Sequence, residues 1–93
     1  MKATLNMQVS AHHGSCSVGG MFINETFLNG KVIKVNAKSI RVELSEEICT
    51  CNGKEKSRRA INQTETFRFW KTLSDGKDAF IAYIGCYSYI IRL

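Results

Sequence analysis

Six side chains in this sequence have the chemistry of zinc ligands: His12, His13, Cys16, Cys49, Cys51 and Cys86. Imidazole nitrogens and thiolates are the ligands that zinc prefers in a tetrahedral site. In an extended strand, however, Cys49 and Cys51 would lie about 6–7 Å apart on one face, and a turn would be needed to bring both sulfurs to one metal. We therefore predict no metal site and no cofactor. The alternative is a zinc ion held by His13, Cys16, Cys49 and Cys51.

The cysteines could also form disulfides. Cys49 and Cys51 cannot easily bridge each other within an extended strand, so a disulfide would have to join Cys16 to Cys86 or to Cys49. That pairing requires export, and residues 1–9 lack the apolar run of a signal peptide. We therefore expect a cytoplasmic protein with reduced cysteines.

Nucleophilic catalysis would require a serine or cysteine beside a histidine base in a fixed geometry. Ser10, Ser15 and Cys16 are close in sequence to His12 and His13. The stretch 12–20, HHGSCSVGG, is rich in glycine and small polar residues, which predicts a loop that does not fix this geometry. No phosphate-binding or dinucleotide-binding glycine motif is present. We predict that the protein is not an enzyme.

The charge of the chain favours acidic partners. Its formal net charge is +5 and its sequence pI is about 9.2. A basic domain attracts nucleic acid, an anionic membrane surface or an acidic protein. No apolar run approaches the roughly 18 residues of a membrane span. The partners that we predict are nucleic acid or an acidic protein, with no membrane association.

The candidate nucleic-acid-binding residues are seven cations and one aromatic: Lys34, Arg41, Lys54, Lys56, Arg58, Arg59, Arg68 and Trp70. Cationic side chains bind phosphates, and an exposed indole can stack on a base. We expect the run 54–59 to be an exposed, mobile loop. Arg68 and Trp70 alternate with inward-facing Phe67 and Phe69, which predicts that they share an outer face. A buried Trp70 is the alternative.

Alternation with period two predicts the strands that position these residues. The predicted strands are 3–11, 21–28, 31–35, 39–44, 64–73, 79–84 and 86–93, and 48–51 could pair with 60–63. Turns are predicted at Asn29-Gly30, 36–38, Asn52-Gly53 and 74–77, because asparagine and glycine tolerate positive φ. Gly85 is expected to form a bulge or a sharp bend.

These strands predict an all-β fold: one domain of residues 1–93, an antiparallel barrel or sandwich of six to eight short strands. Gly30-Lys31-Val32 and Val35, followed by Ile40–Leu44, resemble the hairpin of SH3-like and KOW-type domains. Ninety-three residues in this hairpin-rich order favour a small, strongly bent barrel of SH3-like or OB-like kind, and the resemblance carries no function of its own.

Two functions remain open from the sequence. The first is weak, non-specific nucleic-acid binding by a non-enzymatic β-domain. The second is a protein-interaction module, or a subunit of an assembly, that binds its partner through a strand edge or an apolar groove. A homodimer could form through the second face of the strand 79–84, which carries Ala79, Ile81 and Tyr83.

Overall fold

The computed structural model describes residues 3–16 and 23–93 of the chain. These residues form six strands: β1 (Gln8–Cys16), β2 (Ile23–Val35), β3 (Ser39–Cys51), β4 (Lys54–Thr72), β5 (Asp78–Ile84) and β6 (Tyr87–Arg92). Each strand pairs antiparallel with the next in sequence, and β6 pairs with β1 to close a barrel. The described residues contain no helix. The all-β prediction is confirmed, and the architecture is consistent with a small SH3-like or OB-like barrel.

Long strands divide the molecule into two parts. The barrel body is closed by β5 and β6, and its interior is filled by apolar side chains. The second part, called the extension here, is a sheet that continues beyond the barrel. It consists of residues 13–16, 23–29, 45–51 and 54–63.

The predicted hairpin turn at Asn29-Gly30 is wrong, because β2 runs straight through it. A Cβ atom at Gly30 would collide with the backbone carbonyl of Glu43 on β3. The β2–β3 register shifts between Asn29 and Gly30, and the β3–β4 register shifts between Leu44 and Glu46. Glycine here permits a close approach of two strands at a bulge, where the barrel continues into the extension.

The predicted loop 12–20 is also wrong over the part that the structure describes. Residues 12–16 belong to β1 and pair with β2, from His12 opposite Phe27 to Cys16 opposite Ile23. The rest of that loop lies outside the described residues. The predicted first strand begins only at Gln8, because Leu5 and Asn6 form a turn in which Asn6 has a φ of 66°.

The run 54–59 is not a loop, because β4 begins at Lys54. The predicted turn at Asn52-Gly53 is confirmed, with φ values of 52° and 82° that match the two positive angles of a type I′ turn. This tight turn pairs Cys51 with Lys54 and Ile48 with Arg58. The expected pairing of 48–51 with 60–63 is therefore wrong.

The other turns fall where the sequence predicts them. The chain turns at 36–38, and the 74–77 loop has Gly76 at a φ of 85°. Gly85 has a φ of 64° and forms a two-residue hairpin turn with Cys86, since Ile84 pairs with Tyr87. Of the bulge or sharp bend expected at Gly85, the structure has the sharp bend, as a tight turn between β5 and β6.

The barrel core consists of side chains from all six strands. Its largest fully buried members are Phe67, Phe80, Ile40, Leu44, Ile91, Val32 and Val42. The inward orientation predicted for Phe67 is confirmed, but Phe69 is 39% exposed. The β4–β5 register shifts between Phe69 and Lys71, which breaks the simple alternation of β4 at this point.

Candidate functional site

Positive charge is unevenly distributed between the two parts of the molecule. The extension carries four cations and four carboxylates: Lys54, Lys56, Arg58 and Arg59 against Glu25, Glu46, Glu47 and Glu55. The described part of the barrel body carries eight cations and four carboxylates: Lys31, Lys34, Lys38, Arg41, Arg68, Lys71, Lys77 and Arg92 against Glu43, Glu65, Asp75 and Asp78. The excess of cations in the described residues therefore lies on the barrel body, away from the basic run 54–59.

The two arginines of the basic run are engaged by neighbouring carboxylates. Arg58 donates to Glu46 at 3.1 Å and to Glu55 at 2.8 Å, and Arg59 donates to Glu47 at 2.8 Å. Hydrogen bonds to Glu55 and to Glu47 raise the pKa values of Arg58 and Arg59 respectively, and the bond from Arg58 lowers the pKa of Glu55. These guanidinium groups are not the free cations of a mobile loop.

Three of the predicted site residues meet on the outer face of the barrel. Lys34 on β2 lies directly opposite Arg41 on β3, and Arg41 lies opposite Thr66 on β4. Arg68 follows two residues after Thr66 and therefore shares its face, at a diagonal spacing of about 7–8 Å from the position of Arg41. Lys34, Arg41 and Arg68 are exposed, and we call them the cationic face.

The cationic face lacks acidic partners. Every aspartate and glutamate of the chain is among the described residues. The ion pairs found there join only Arg58 and Arg59 to carboxylates, and His12 is hydrogen-bonded to Glu25. Lys34, Arg41 and Arg68 therefore form no ion pair in the described part of the chain, although Glu43 lies two residues from Arg41 on the same exposed face of β3. Such a surface attracts a polyanion.

Trp70 lies on the surface, with 48% of its area exposed. The Nζ atom of Lys71 is 4.3 Å from the centre of the indole ring, within the range of a cation–π contact. This resolves the choice between a core and a surface position in favour of the surface. Because Trp70 sits at the β4 register shift, strand alternation does not fix it on the face of Arg68.

Tyr83 is an exposed aromatic that the sequence did not assign to this site. It is 77% exposed and lines a shallow pocket of about 370 Å³ together with Thr66, Arg68, Ile81 and Ala82. Sequence reasoning placed Tyr83 in a homodimer face with Ala79 and Ile81, but Ala79 is fully buried. No local signal relates Tyr83 to Arg68, because they are brought together by the β4–β5 pairing.

A second shallow pocket, of about 350 Å³, surrounds His12 on the outer face. It is lined by Ser10, His12, Glu25, Phe27, Ile90 and Arg92. The Nε2 atom of His12 is 2.7 Å from a carboxylate oxygen of Glu25, and the imidazole is 5.0 Å from the ring of Phe27. Within the described residues, His12 has no hydrogen bond to a hydroxyl or thiol. Glu25 therefore orients the imidazole of His12, but no serine, threonine or cysteine of the described part is hydrogen-bonded to it to act as a nucleophile.

The candidate zinc ligands are separated by the strand geometry. His13 lies on the face opposite to His12, where its Nδ1 donates to the carbonyl of Ser88 at 3.0 Å and its ring is 4.6 Å from that of Tyr87. Cys49 lies beside Thr26, and the side chain of Cys16 is outside the described part. Among the described residues, no three His, Cys, Asp or Glu side chains are arranged to bind one metal ion.

A row of half-buried side chains crosses five strands on the outer surface, and all of them are apolar except His12 on β1. Ile81 pairs with Ile90, which pairs with His12, and the row continues through Phe27 to Ile48. We call this row the apolar strip. Arg68 lies opposite Ile81 at one end, and Arg58 lies opposite Ile48 at the other.

Comparison with known proteins identifies no relative. No family model, no curated protein and no solved structure matches this chain. None of the described residues forms a helix that could cross a membrane.

Proposed function

We propose that this protein is a non-enzymatic nucleic-acid-binding β-barrel that binds weakly and without sequence preference. The observation that carries the proposal is the placement of Lys34 directly opposite Arg41, beside Arg68, with no carboxylate paired to them among the described residues. Phosphate groups of a nucleic acid would supply the missing negative charge.

The energetics of strand pairing support this interpretation. Like charges placed directly opposite each other on a sheet destabilise the pair, by an amount comparable to the roughly 0.2–1 kcal/mol that favourable pairs contribute. The chain therefore carries an unfavourable pair at Lys34 and Arg41 that a bound phosphate backbone would convert into a favourable arrangement. The engaged Arg58 and Arg59, by contrast, already have carboxylate partners.

Exposed aromatic rings provide a second kind of contact. Tyr83 borders Arg68, and Trp70 follows Arg68 on β4. Base stacking on an exposed ring contributes about 1–3 kcal/mol and tolerates any base. A few phosphate contacts with one or two stacked bases fit non-specific binding, with a dissociation constant of roughly 10⁻⁴–10⁻⁶ M at physiological salt.

The deciding experiment is a fluorescence-anisotropy titration of labelled single- and double-stranded oligonucleotides at several salt concentrations. Single substitutions Lys34→Ala, Arg41→Ala and Arg68→Ala should each flatten the slope of log affinity against log salt by about 0.7–0.9. Lys77→Ala, which removes an equal charge from the 74–77 loop, is the matched control and should change the slope less. Folded protein that fails to bind at about 50 mM salt would exclude this function.

The apolar strip favours a second candidate, a protein-interaction module. Ile81, Ile90, Phe27 and Ile48 are partly exposed in one row that is interrupted on β1 by His12, and apolar surface of this kind characterises partner-binding faces. An acidic protein could contact the strip and the neighbouring Arg68. Ile48→Asp should abolish capture of such a partner, whereas Ser74→Asp, in the exposed 74–77 loop, should preserve it.

We also propose a cytoplasmic location with reduced cysteines. The support is that Cys49, Cys51 and Cys86 carry free thiols in the structure. Thiol titration of protein purified without reductant tests this, because exported protein would be expected to contain oxidised cysteines.

A further inference from the structure

The side of β4 that faces away from β3 is open over much of its length. β4 pairs with β3 from Lys54 to Arg68, but with β5 only from Arg68 to Thr72. Among the described residues, no other strand pairs with the segment from Lys54 to Thr66. Its outward backbone N–H and C=O groups form a template on which a further strand can pair.

The two halves of this segment differ in how they are protected against pairing. Lysines on an exposed edge strand commonly prevent another strand from pairing with it. The first half of the segment carries Lys54 and Lys56. From Ala60 to Thr66 there is no lysine, arginine or proline, and Glu65 is the only charged residue. Ile61, Thr64 and Thr66 are β-branched, which suits an extended strand. We call residues 60–66 the open edge.

We propose that the open edge pairs with the open edge of a second copy of this chain, antiparallel and centred on Asn62. A twofold axis perpendicular to the sheet places each residue opposite the one equally far from the centre. Asn62 then faces its own copy, and Arg59 faces Glu65 of the second copy. Antiparallel pairing satisfies the outward backbone groups of both edges at once.

Charge complementarity selects both the partner and the centre. Glu65 has no ion pair among the described residues; its side chain accepts a hydrogen bond from Gln63 at 2.6 Å. Centring the pair on Asn62 brings Arg59 to each Glu65 and opposes only neutral residues in between. Arg59 binds Glu47 of its own copy through Nε and Nη2, so it would contact Glu65 of the second copy through its Nη1 group. Centring it on Ala60 would instead oppose Glu55 and Glu65, which repel each other.

The pairing would also align the two outer faces. An axis perpendicular to the sheet keeps the outer face of each copy on the same side, so both cationic faces would lie on one surface of a continuous sheet. The pairing depends on the open edge and the flanking charges, and it is independent of nucleic-acid binding.

Sedimentation velocity of the unmodified protein over about a hundredfold range of concentration tests the pairing, because a homodimer responds to concentration by mass action. We expect a shift from the monomer to the dimer sedimentation coefficient. Protein that stays monomeric throughout the range would overturn the proposal.

Substitutions at the axis test the centre of the pairing. Asn62→Lys and Asn62→Asp should each lose the dimer, because like charges would meet at the axis. An equimolar mixture of the two variants should regain it as a heterodimer. Ser74→Lys, which adds a charge in the exposed 74–77 loop, should keep the dimer. A dimer that survives both substitutions at Asn62, or a mixture that remains monomeric, would overturn the proposed register.

A measurement on the unmodified protein tests the pairing without the risk that a substituted variant misfolds. Amide hydrogen exchange at residues 60–66 should slow as the concentration of unmodified protein rises, whereas exchange in the 74–77 loop should not change. Equal exchange rates at low and high concentration would count against the pairing.

Discussion

Lys34 lies directly opposite Arg41 across the β2–β3 ladder, and both side chains are exposed on the outer face of the barrel. Two cations in this relationship repel each other, and the described residues place no carboxylate in an ion pair with either. Such a pair lowers the stability of the free protein. It also presents two positive groups to which a polyanion can bind.

Arg41→Thr should therefore separate stability from binding. Removing the repulsion should raise the free energy of unfolding by about 0.2–1 kcal/mol, since threonine also suits a strand. The same substitution should weaken oligonucleotide binding. Urea denaturation and anisotropy titration measure the two effects. A variant that is less stable and binds normally would show that the Arg41 side chain has a structural role.

Phe67→Ala and Phe69→Ala should differ in cost although the residues are two apart. Phe67 is fully buried, so its truncation should cost about 3–5 kcal/mol. Phe69 is partly exposed and contacts Phe80 edge-on at 5.8 Å, so a cost of about 1–2 kcal/mol is expected. Chemical denaturation of both variants makes the comparison. Equal costs would contradict the orientation of β4 in the structure.

Gly30→Ala should destabilise the barrel by about 1–3 kcal/mol, because the added methyl group would overlap the backbone of Glu43. Gly14→Ala is the matched control, since the methyl group there would meet only the imidazole of His12 at 3.3 Å. In thermal unfolding, the midpoint temperature of Gly30→Ala should lie well below that of Gly14→Ala. The opposite ranking would show that β2 and β3 do not approach closely at Gly30.

Trp70→Ala should leave the protein folded, because the indole is exposed. If Trp70 stacks on a base, the substitution should weaken single-strand binding by about 1–3 kcal/mol. Trp70 is the one tryptophan of the chain, so its fluorescence should also change when an oligonucleotide is added to the unmodified protein. Unchanged fluorescence at saturation would remove Trp70 from the site and leave Tyr83 as its aromatic contact.

Tyr89 should make stability fall at alkaline pH. Burial, and then the nearby charge of Glu47, raise the pKa of Tyr89 above its ordinary value of 10.0. The folded state therefore holds this proton more tightly than the unfolded state. The contribution of Tyr89 to the free energy of unfolding is fully present below about pH 10, and it is lost as the pH rises through the raised pKa. Tyr89→Phe should flatten this alkaline decline when the free energy of unfolding is measured by urea denaturation at several pH values.

The sequence by itself determined the fold class and most of the turns. Alternation with period two and the turns at 36–38, Asn52-Gly53 and 74–77 are local properties, since a few neighbouring residues set the backbone angles there. The sequence also located Lys34 and Arg41 on an outer face, by their alternation with apolar neighbours. For Arg41 this reason holds, because Ile40 and Val42 occupy the inner side of β3, but Ile33 beside Lys34 is 37% exposed where the β2–β3 register shifts.

Tertiary structure decided which residues of neighbouring strands contact each other. The Asn29-Gly30 pair reads as a turn, and only the approach of Glu43 on β3 makes Gly30 a point of close contact within a continuous strand. The sequence predicts that Arg59 is a free cation, and only the pairing of β4 with β3 brings Glu47 to it across the sheet. Register between strands joins residues far apart in sequence, and local periodicity carries no information about which residues those are.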